Sequence, residues 1–422
     1  MEKHLNLIYS KENEMSVVMS LPHANSLAEE LLVFLKSKYP GFSFESAGQI
    51  RRQCDTISSL VIVSTLTEFP DISDFNFPNA FRSFTYQNDD QGVKVKELSK
   101  QSIIPIYFVL SRDNEFIYRV WESTGSLDHV TMVATKLNGN RTFQNEQAIY
   151  SASEDYQYQL PIHRESEHER IHINEKTLVS LSDIKGLIHN HTTFSDGQNT
   201  LEEMALYTRD VLGLDYIAIC DHSISTVPEM TKENILKQHK EIDNLNIRLS
   251  PFHILKGIEV DILEDGTLDY DDKFLEKFDI VVASIHRGFD MTKEQATLRI
   301  CKAIENKYVN IIGHPQNRKI GDFKNSYDVD FETIIKHCKK HNVAIELNAN
   351  PIRLDINWRW INRIMEEGIY ISINPDAHST DDLESIKWGV VSAQKGGCVK
   401  SIVLNAQSKE DVMKFKAHGY NL

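Results

Sequence analysis

Thiols are few in this chain. The five cysteines, Cys54, Cys220, Cys301, Cys338 and Cys398, are odd in number, scattered and never spaced C-x-x-C, so neither a disulfide framework nor a thiolate zinc site is indicated. Long apolar runs are missing too: stretches such as residues 103–110 fall far short of the roughly 20 residues that span a bilayer. The first ten residues carry early charge and no apolar signal core, so the chain is expected to be soluble, cytoplasmic and without a membrane partner. Positive charge is in deficit. Sixty-one acidic residues against 46 basic ones leave a formal charge of -15, which repels a polyphosphate over most of the surface and confines any nucleic-acid contact to a local patch.

What is present is an ordinary globular composition, 422 residues with 41% hydrophobic and 25% charged, enough for about two to three domains. Residues 1–180 mix an amphipathic helix over 26–38 with β-like runs at 60–64 and 103–110, the second preceded by a lysine-bearing stretch over 94–100; this half reads as a smaller α+β domain. A polar segment between 150 and 185 that includes residues 163–172 marks the boundary and reads as a solvated helical or linking segment, with His168 and His172, among Glu and Arg, on solvated surface. Residues 181–422 are regular. Short apolar runs at 186–189, 216–220, 254–258, 279–284, 309–313, 343–347 and 370–374 alternate with helical segments such as 201–212 and 293–306, the pattern of a parallel α/β barrel with seven strands.

Histidines and carboxylates follow the ends of those strands. His189 and His191 close the first and Asp196 follows in a turn; His222 closes the second, Glu259 the third, His286 the fourth and His314 the fifth, while Asp376 and His378 follow the last. All nine fall on the C-terminal face where such barrels assemble their sites. Six imidazoles and three carboxylates are too many for one divalent ion and suit two or three sharing a bridging carboxylate, with three the favoured number. A mixed imidazole and carboxylate set without thiolate suits Mn²⁺, Fe²⁺ or Zn²⁺ and argues against Ca²⁺ or a site for Mg²⁺ alone. Three such ions bring +6 against the carboxylates' -3, a locally positive pocket that suits phosphate. Glu346 points to the same rim and reads as a residue that supports the ligands.

The runs His189-Asn-His-Thr-Thr-Phe-Ser-Asp-Gly197, Ala218-Ile-Cys-Asp-His-Ser223, Gly257-Ile-Glu-Val-Asp-Ile-Leu263, Ala283-Ser-Ile-His286, Ile312-Gly-His-Pro315, Glu346-Leu-Asn-Ala-Asn-Pro351 and Asp376-Ala-His378 resemble, in order, the motifs of the PHP (polymerase and histidinol phosphatase) domain. The likeness is greatest to the PHP domain of bacterial family-X DNA polymerases and covers about residues 183–422. It implies a distorted (β/α)7 barrel with a trinuclear centre. By that likeness His189, His191, Glu259 and Asp376 hold one ion, Glu259, His286 and His314 a second, and Asp196, His222 and His378 a third.

Upstream, Ala47-Gly-Gln-Ile-Arg-Arg52, the run from Asp55 to Val63 and Thr124-Gly125-Ser126 resemble the family's polymerase palm and palm–thumb junction. Where the family has its paired catalytic aspartates this chain has Ser59 and Val61, and Tyr107 stands for the third carboxylate. Two-metal nucleotidyl transfer needs carboxylates to clamp both ions, so residues 1–180 are expected to be a degenerate, catalytically inactive palm and thumb. The family's DNA-gripping helix-hairpin-helix region is expected to be missing, which suggests a partner protein that supplies the grip. Arg51, Arg52, Lys94, Lys96 and Lys100 are candidate phosphate contacts, with a solvated surface as the plainer reading.

The expected chemistry is metal-assisted phosphoester hydrolysis, which requires no side-chain nucleophile. Arg287, Arg318 and Arg353 are the candidate phosphate-binding cations, and His222 is a candidate donor to the leaving group. The resemblance implies a Mn²⁺-dependent 3′–5′ exonuclease or end-processing nuclease, with DNA ends and single-stranded DNA as substrate and Zn²⁺ or Fe²⁺ as alternative ions. Two departures bear on substrate preference: Arg287 stands where the relatives have a small residue, and Asn374-Pro375 precedes Asp376 where they have Ser-Thr. A small-molecule phosphomonoesterase of the histidinol-phosphatase type is the first alternative, and a non-catalytic metal-binding scaffold the second.

Overall fold

The structure is a computed structural model that describes residues 18–72, 75, 83–88, 94–100, 103–153, 156–166, 173, 175–320 and 327–415, with backbone alone for 83–88, 94–100 and 103. His168, His172 and the side chains of Lys94, Lys96 and Lys100 lie outside the described residues. The chain forms two compact units, Met1–Ile173 and Asn174–Leu422. No helix among the described residues is long and apolar enough to cross a membrane.

The strands of the first unit are β1 (Met19–Ser20), β2 (Phe44–Ala47), β3 (Thr56–Ile57), β4 (Leu60–Ser64), β5 (Ser83–Asn88), β6 (Lys94–Lys100) and β7 (Ile103–Leu110). A five-stranded sheet runs in the order β2-β4-β7-β6-β5, while β1 pairs with β3. The helix expected over 26–38 begins at Leu21, because Pro22 sits in its first turn, where a missing N–H costs nothing. Its stripe of Leu21, Ala24, Leu27, Ala28, Leu31 and Leu35 is buried at helical spacing.

Parallel pairing of β4 with β7 sets Val61 opposite Tyr107. Both are buried in one apolar cluster with Ala47, Val63, Val109 and Val120, and Ser59 is buried just ahead of β4. Gly48, at φ +63, permits the close approach, since a Cβ there would meet Val61 Cγ2 at 3.0 Å. The positions that the resemblance gives to catalytic carboxylates are therefore core positions.

Arg51 and Arg52 correct both readings made from the sequence. Neither is a free phosphate contact and neither belongs to a solvated surface. Arg52 is 2% exposed, pairs with Glu165 Oε1 at 2.9 Å and donates to the Thr124 carbonyl at 2.7 Å. Arg51 reaches Glu146 at 2.6 Å, and Arg164 reaches the other oxygen of the same carboxylate at 2.7 Å. Burial would raise the Glu146 pKa, but Arg164 and Arg51 together hold it below the usual range.

The second unit is a barrel of seven parallel strands, β8 (Gly186–Leu187), β9 (Tyr216–Ile219), β10 (His253–Asp261), β11 (Ile280–Ser284), β12 (Ile311–Ile312), β13 (Ala344–Asn348) and β14 (Ile371–Asn374), hydrogen-bonded in chain order. Its seam is closed at two levels. Above, Asn190 pairs with Ala377, and the His191 N–H donates to the Ala377 carbonyl at 2.8 Å. Below, the Asn405 carboxamide donates to the Gly186 and Ile373 carbonyls and accepts from the Ile373 N–H.

Strand alternation sorts the residues into two layers. Ile188, Tyr216, Ala218, Cys220, Leu255, Ile280, Val282, Ile311 and Ala344 pack inside the barrel with Leu404, Val412 and Phe415. The alternate residues Ile217, Ile219, Ile254, Val281, Ala283, Ile345 and Ile371 face an outer layer that includes the helices Lys232–Leu249, Lys293–Ile304, Phe331–His341 and Ile386–Lys395. The helix expected over 201–212 is α-helical only through Leu206 and continues as a π turn to Val211.

A Val61→Asp substitution places a carboxylate at a position 1% exposed, opposite a buried tyrosine. It should lower the stability of the first unit by about 3 kcal/mol or more, seen as an earlier urea midpoint; an unchanged midpoint would mean that position 61 is open to solvent.

Candidate metal centre

The same alternation that builds the barrel core delivers most of the site. Continuing inward from Cys220, Leu255, Val282 and Ala344, every second residue places His222, Glu259, His286 and Glu346 on the inner face at the strand ends. His189 and His314 break that rhythm. Ile188 and Ile311 already face inward, so unbroken strands would send His189 and His314 outward. Both adopt left-handed backbones, with φ of 64° and 25°, and Asp376 does so with φ of 51°. Such conformations cost roughly 1–3 kcal/mol each and persist where the surroundings hold them, as they do at functional sites.

Glu259 lies at the centre. Its carboxylate is 3.2 Å from His189 Nε2, 3.6 Å from His191 Nε2, 2.8 Å from His222 Nδ1, 3.1 Å from His286 Nε2 and 3.0 Å from His314 Nε2. Asp376 Oδ1 stands 3.1 Å from His191 Nε2 and 3.5 Å from His189 Nε2. Asp196 Oδ2 is 3.4 Å from both His222 Nε2 and His378 Nε2. Three sets have donor atoms within 4.8 Å of one another: His191, Asp196, His222 and His378; His189, His191 and Glu259; and His222, Glu259 and His286. All nine residues expected from the sequence converge. The grouping differs in that His191 and His222 each lie in two sets.

The residues present fit divalent cations. His189 Nε2, His191 Nδ1, His222 Nδ1, His314 Nδ1 and Glu259 Oε2 are buried and make no hydrogen bond among the described residues, an arrangement that costs roughly 1–3 kcal/mol for each unpaired group. His222 Nδ1 and Glu259 Oε2 are 2.8 Å apart yet not aligned to share a proton. Other atoms are tied back so that the donors are aimed. His189 Nδ1 meets Glu346 Oε1 at 2.6 Å, leaving Nε2 inward, and His286 Nδ1 meets Asp261 Oδ1 at 2.7 Å with the same result. Glu346 also accepts from the His314 N–H at 2.7 Å and from Asn374 at 2.7 Å.

Charge in the metal-free arrangement follows from these distances. Burial would lower the His222 pKa, but Glu259 and Asp196 reverse this and push it up to about 10. Burial likewise opposes the charge on His189, yet Glu346, Glu259 and Asp376 raise it well above the ordinary value. Burial and then the neighbouring His222 hold His191 down to about 3. Burial alone would raise Glu259, but His286, His189 and His222 hold it well below the carboxylate range. Protons thus take the place that cations would occupy.

The three candidate arginines differ. Arg353 lies at the donors, with Nε 3.5 Å from Asp376 Oδ2 and Nη1 donating to Asn317 at 3.2 Å. Arg287 is exposed and makes no side-chain hydrogen bond or ion pair among the described residues. Arg318 is built into the rim: its Nη1 donates to the Leu354 carbonyl and its backbone N–H to Asp355, each at 3.0 Å. The sequence reasoning passed over Asp261, the partner of His286, and placed Asp221 at the second strand end beside His222 without giving it a role; it accepts from Thr192, Ser195 and Gln238. Asp261 sits two residues beyond Glu259 on the same strand face, and that spacing is the signal that could have found it.

A family model described as the PHP domain matches residues 188–350. The chain is 34% identical over 419 residues to the DNA polymerase/3′-5′ exonuclease PolX of Bacillus subtilis (strain 168), covering 93% of this chain and 72% of that protein. It is 30% identical over 243 residues to a probable phosphatase of Thermoanaerobacter sp. (strain X514), covering 54% of this chain and 92% of that one. Among solved structures, a histidinol phosphate phosphatase from Lactococcus lactis subsp. lactis Il1403, complexed with zinc, L-histidinol and phosphate, aligns with TM-score 0.39 and 17% identity over 51% of this chain and 94% of that chain.

Two outcomes test the centre. Because His222 is held near 10, it is protonated at neutral pH without ions; a cation must displace that proton, so affinity should rise with pH toward 10. Calorimetric titration with Mn²⁺ in two buffers of different ionisation enthalpy should report proton release, and identical heats would contradict it. Glu346→Gln should weaken ion binding by about 10–100-fold by freeing the His189 ring, measured by equilibrium dialysis.

Proposed function

The chain belongs to the bacterial PolX family of DNA polymerase/3′-5′ exonucleases with a PHP domain, and we propose that it is a PHP nuclease of nucleic-acid 3′ ends without polymerase activity. It is a PHP-domain phosphoesterase, a hydrolase of phosphate esters. The observation that carries the finer reading is a contrast within one chain. Nine donor side chains converge on the barrel rim, whereas Ser59, Val61 and Tyr107, at the palm positions, are buried and none of them is a carboxylate.

Bound divalent ions would supply Lewis-acid polarisation of a phosphoryl oxygen and activation of water. His189, His191, Glu259 and Asp376 would hold one, His222, Glu259, His286 and His314 a second, and Asp196, His378 and the shared imidazoles a third. The chain's own residues orient the ester. Arg353, 3.5 Å from Asp376, carries its charge to the donors, and exposed Arg287 presents a planar fork to a phosphate further out. His222 has carboxylate oxygens against both ring nitrogens, so it acts as a ligand and the leaving group takes its proton from water. With Arg51 and Arg52 held in internal ion pairs and a net charge of -15, grip on a strand falls to these rim arginines and to a partner protein.

A second reading, a phosphomonoesterase, is favoured by one observation: a match over 54% of the chain is 30% identical to a protein named a probable phosphatase and covers 92% of it. With Mn²⁺, single-stranded DNA labelled at its 5′ end should shorten stepwise, and a 3′ label should leave at once as a mononucleotide. Both effects should vanish in a His189→Ala, Asp376→Ala double variant, and a primed template should not be extended. Hydrolysis of a phosphate monoester with both labelled strands intact would support the second reading, and extension of the primer would overturn the inactive palm.

A further inference from the structure

Asp196 is unlike the other eight donors. Its side chain is 45% exposed, against 31% for His378, 16% for His286 and 8% or less for His222, Glu259 and Asp376. It also sits on a turn rather than directly at a strand end. Residues 192–197 fold back on themselves, with the Ser195 and Gly197 N–H groups both donating to the Thr192 carbonyl, at 3.0 and 2.9 Å. The turn is too tight for a side chain at Gly197, where a Cβ would lie 2.7 Å from the Thr192 nitrogen.

One buried carboxylate holds that turn. Asp221, 1% exposed, accepts from the Thr192 N–H and the Thr192 hydroxyl, each at 2.7 Å, and from the Ser195 hydroxyl next to Asp196. Its remaining partner comes from elsewhere: Gln238, on the helix Lys232–Leu249, donates Nε2 to Asp221 Oδ2 at 2.5 Å. Gln238 is itself 1% exposed, a buried amide on a crossover helix whose partner is this carboxylate. Asp221 also directly precedes His222, which shares the Asp196 set. The Gln238–Asp221–Ser195 chain thus runs from the outer helix layer to the most exposed donor.

We infer that Gln238, Asp221 and Ser195 are positioning residues that set the occupancy of a separable third ion at His191, Asp196, His222 and His378. The inference rests on the metal-centre reading above. The two buried sets around Glu259 share His191 and His222 with this one, but Glu346 and Asp261, which lie outside the turn, hold their other imidazoles. The third set depends most on the turn, because Asp196, its most exposed donor, sits on it. This ion is the exchangeable one, and its affinity is tuned from the helix.

The test is ion stoichiometry and affinity, by equilibrium dialysis against Mn²⁺ with elemental analysis, on the full chain and on Gln238→Leu, Ser195→Ala and Asp196→Ala. Ser195→Ala removes a hydroxyl from a half-buried turn and leaves the fold intact if the buried Gln238→Leu does not; far-ultraviolet circular dichroism checks both. The expected result is three ions for the unaltered chain and two for Asp196→Ala. Gln238→Leu and Ser195→Ala should weaken the weakest ion at least tenfold and the other two by much less. Wild-type affinities for all three ions in Gln238→Leu and Ser195→Ala, with one ion lost in Asp196→Ala, would overturn the positioning role and leave the metal centre standing. Fewer than three ions in the unaltered chain, or none lost in Asp196→Ala, would overturn the three-ion reading and this inference with it. Equal weakening of all three ions would also overturn it, since a general structural defect predicts that result.

Discussion

A single buried carboxylate organises the barrel face. Glu259 stands within 3.6 Å of five imidazoles that come from four other strand ends, and it lies 1% exposed. An isolated carboxylate in such surroundings would be driven to its neutral form. Here the imidazoles hold it charged in the absence of ions, and cations would do so in their presence. Either way the barrel mouth needs positive charge at its centre. That requirement explains why left-handed backbones at His189, His314 and Asp376 persist in an otherwise regular α/β frame.

Around that centre the protein uses buried polar groups sparingly and in pairs. Glu346 aims His189 and braces the His314 backbone, Asp261 aims His286, and Asn348 donates to both Glu346 and Asp376. Beneath them a buried apolar layer reaches down to Leu404, Val412 and Phe415. An apolar layer under a polar mouth keeps the dielectric low where charge is handled, which strengthens each electrostatic contact. The first unit shows the opposite outcome. Its parallel pair β4 and β7 retains the geometry that could present side chains to a substrate, but Val61 and Tyr107 turn that surface into core. Arginines that could meet phosphate from solvent are closed onto Glu146 and Glu165.

Much of this was legible in the chain before any coordinates. The seven strand positions and the nine donors at their ends follow from short-range rules: a period of two along each strand, helices of crossover length and polar residues at the strand ends. The loss of carboxylates at Ser59, Val61 and Tyr107 was likewise visible as residue types. Arg51 and Arg52 were not legible as they stand. Side by side after a glycine they read as a basic patch, and the carboxylate that neutralises Arg52 lies 113 residues away. Gln238 was equally silent, since a polar residue in an amphipathic helix normally faces water.

The sequence by itself determined the kind of chemistry, because ligand type and strand-end placement are local properties that survive without knowledge of neighbours. Only the tertiary structure decided how the donors are shared, with His191 and His222 each in two sets, and which residues aim them. It also decided that Val61 and Tyr107 are buried together in an apolar cluster. These outcomes depend on contacts between segments far apart in the chain, whose distances are set by barrel closure and sheet register, and no local pattern of residues encodes them.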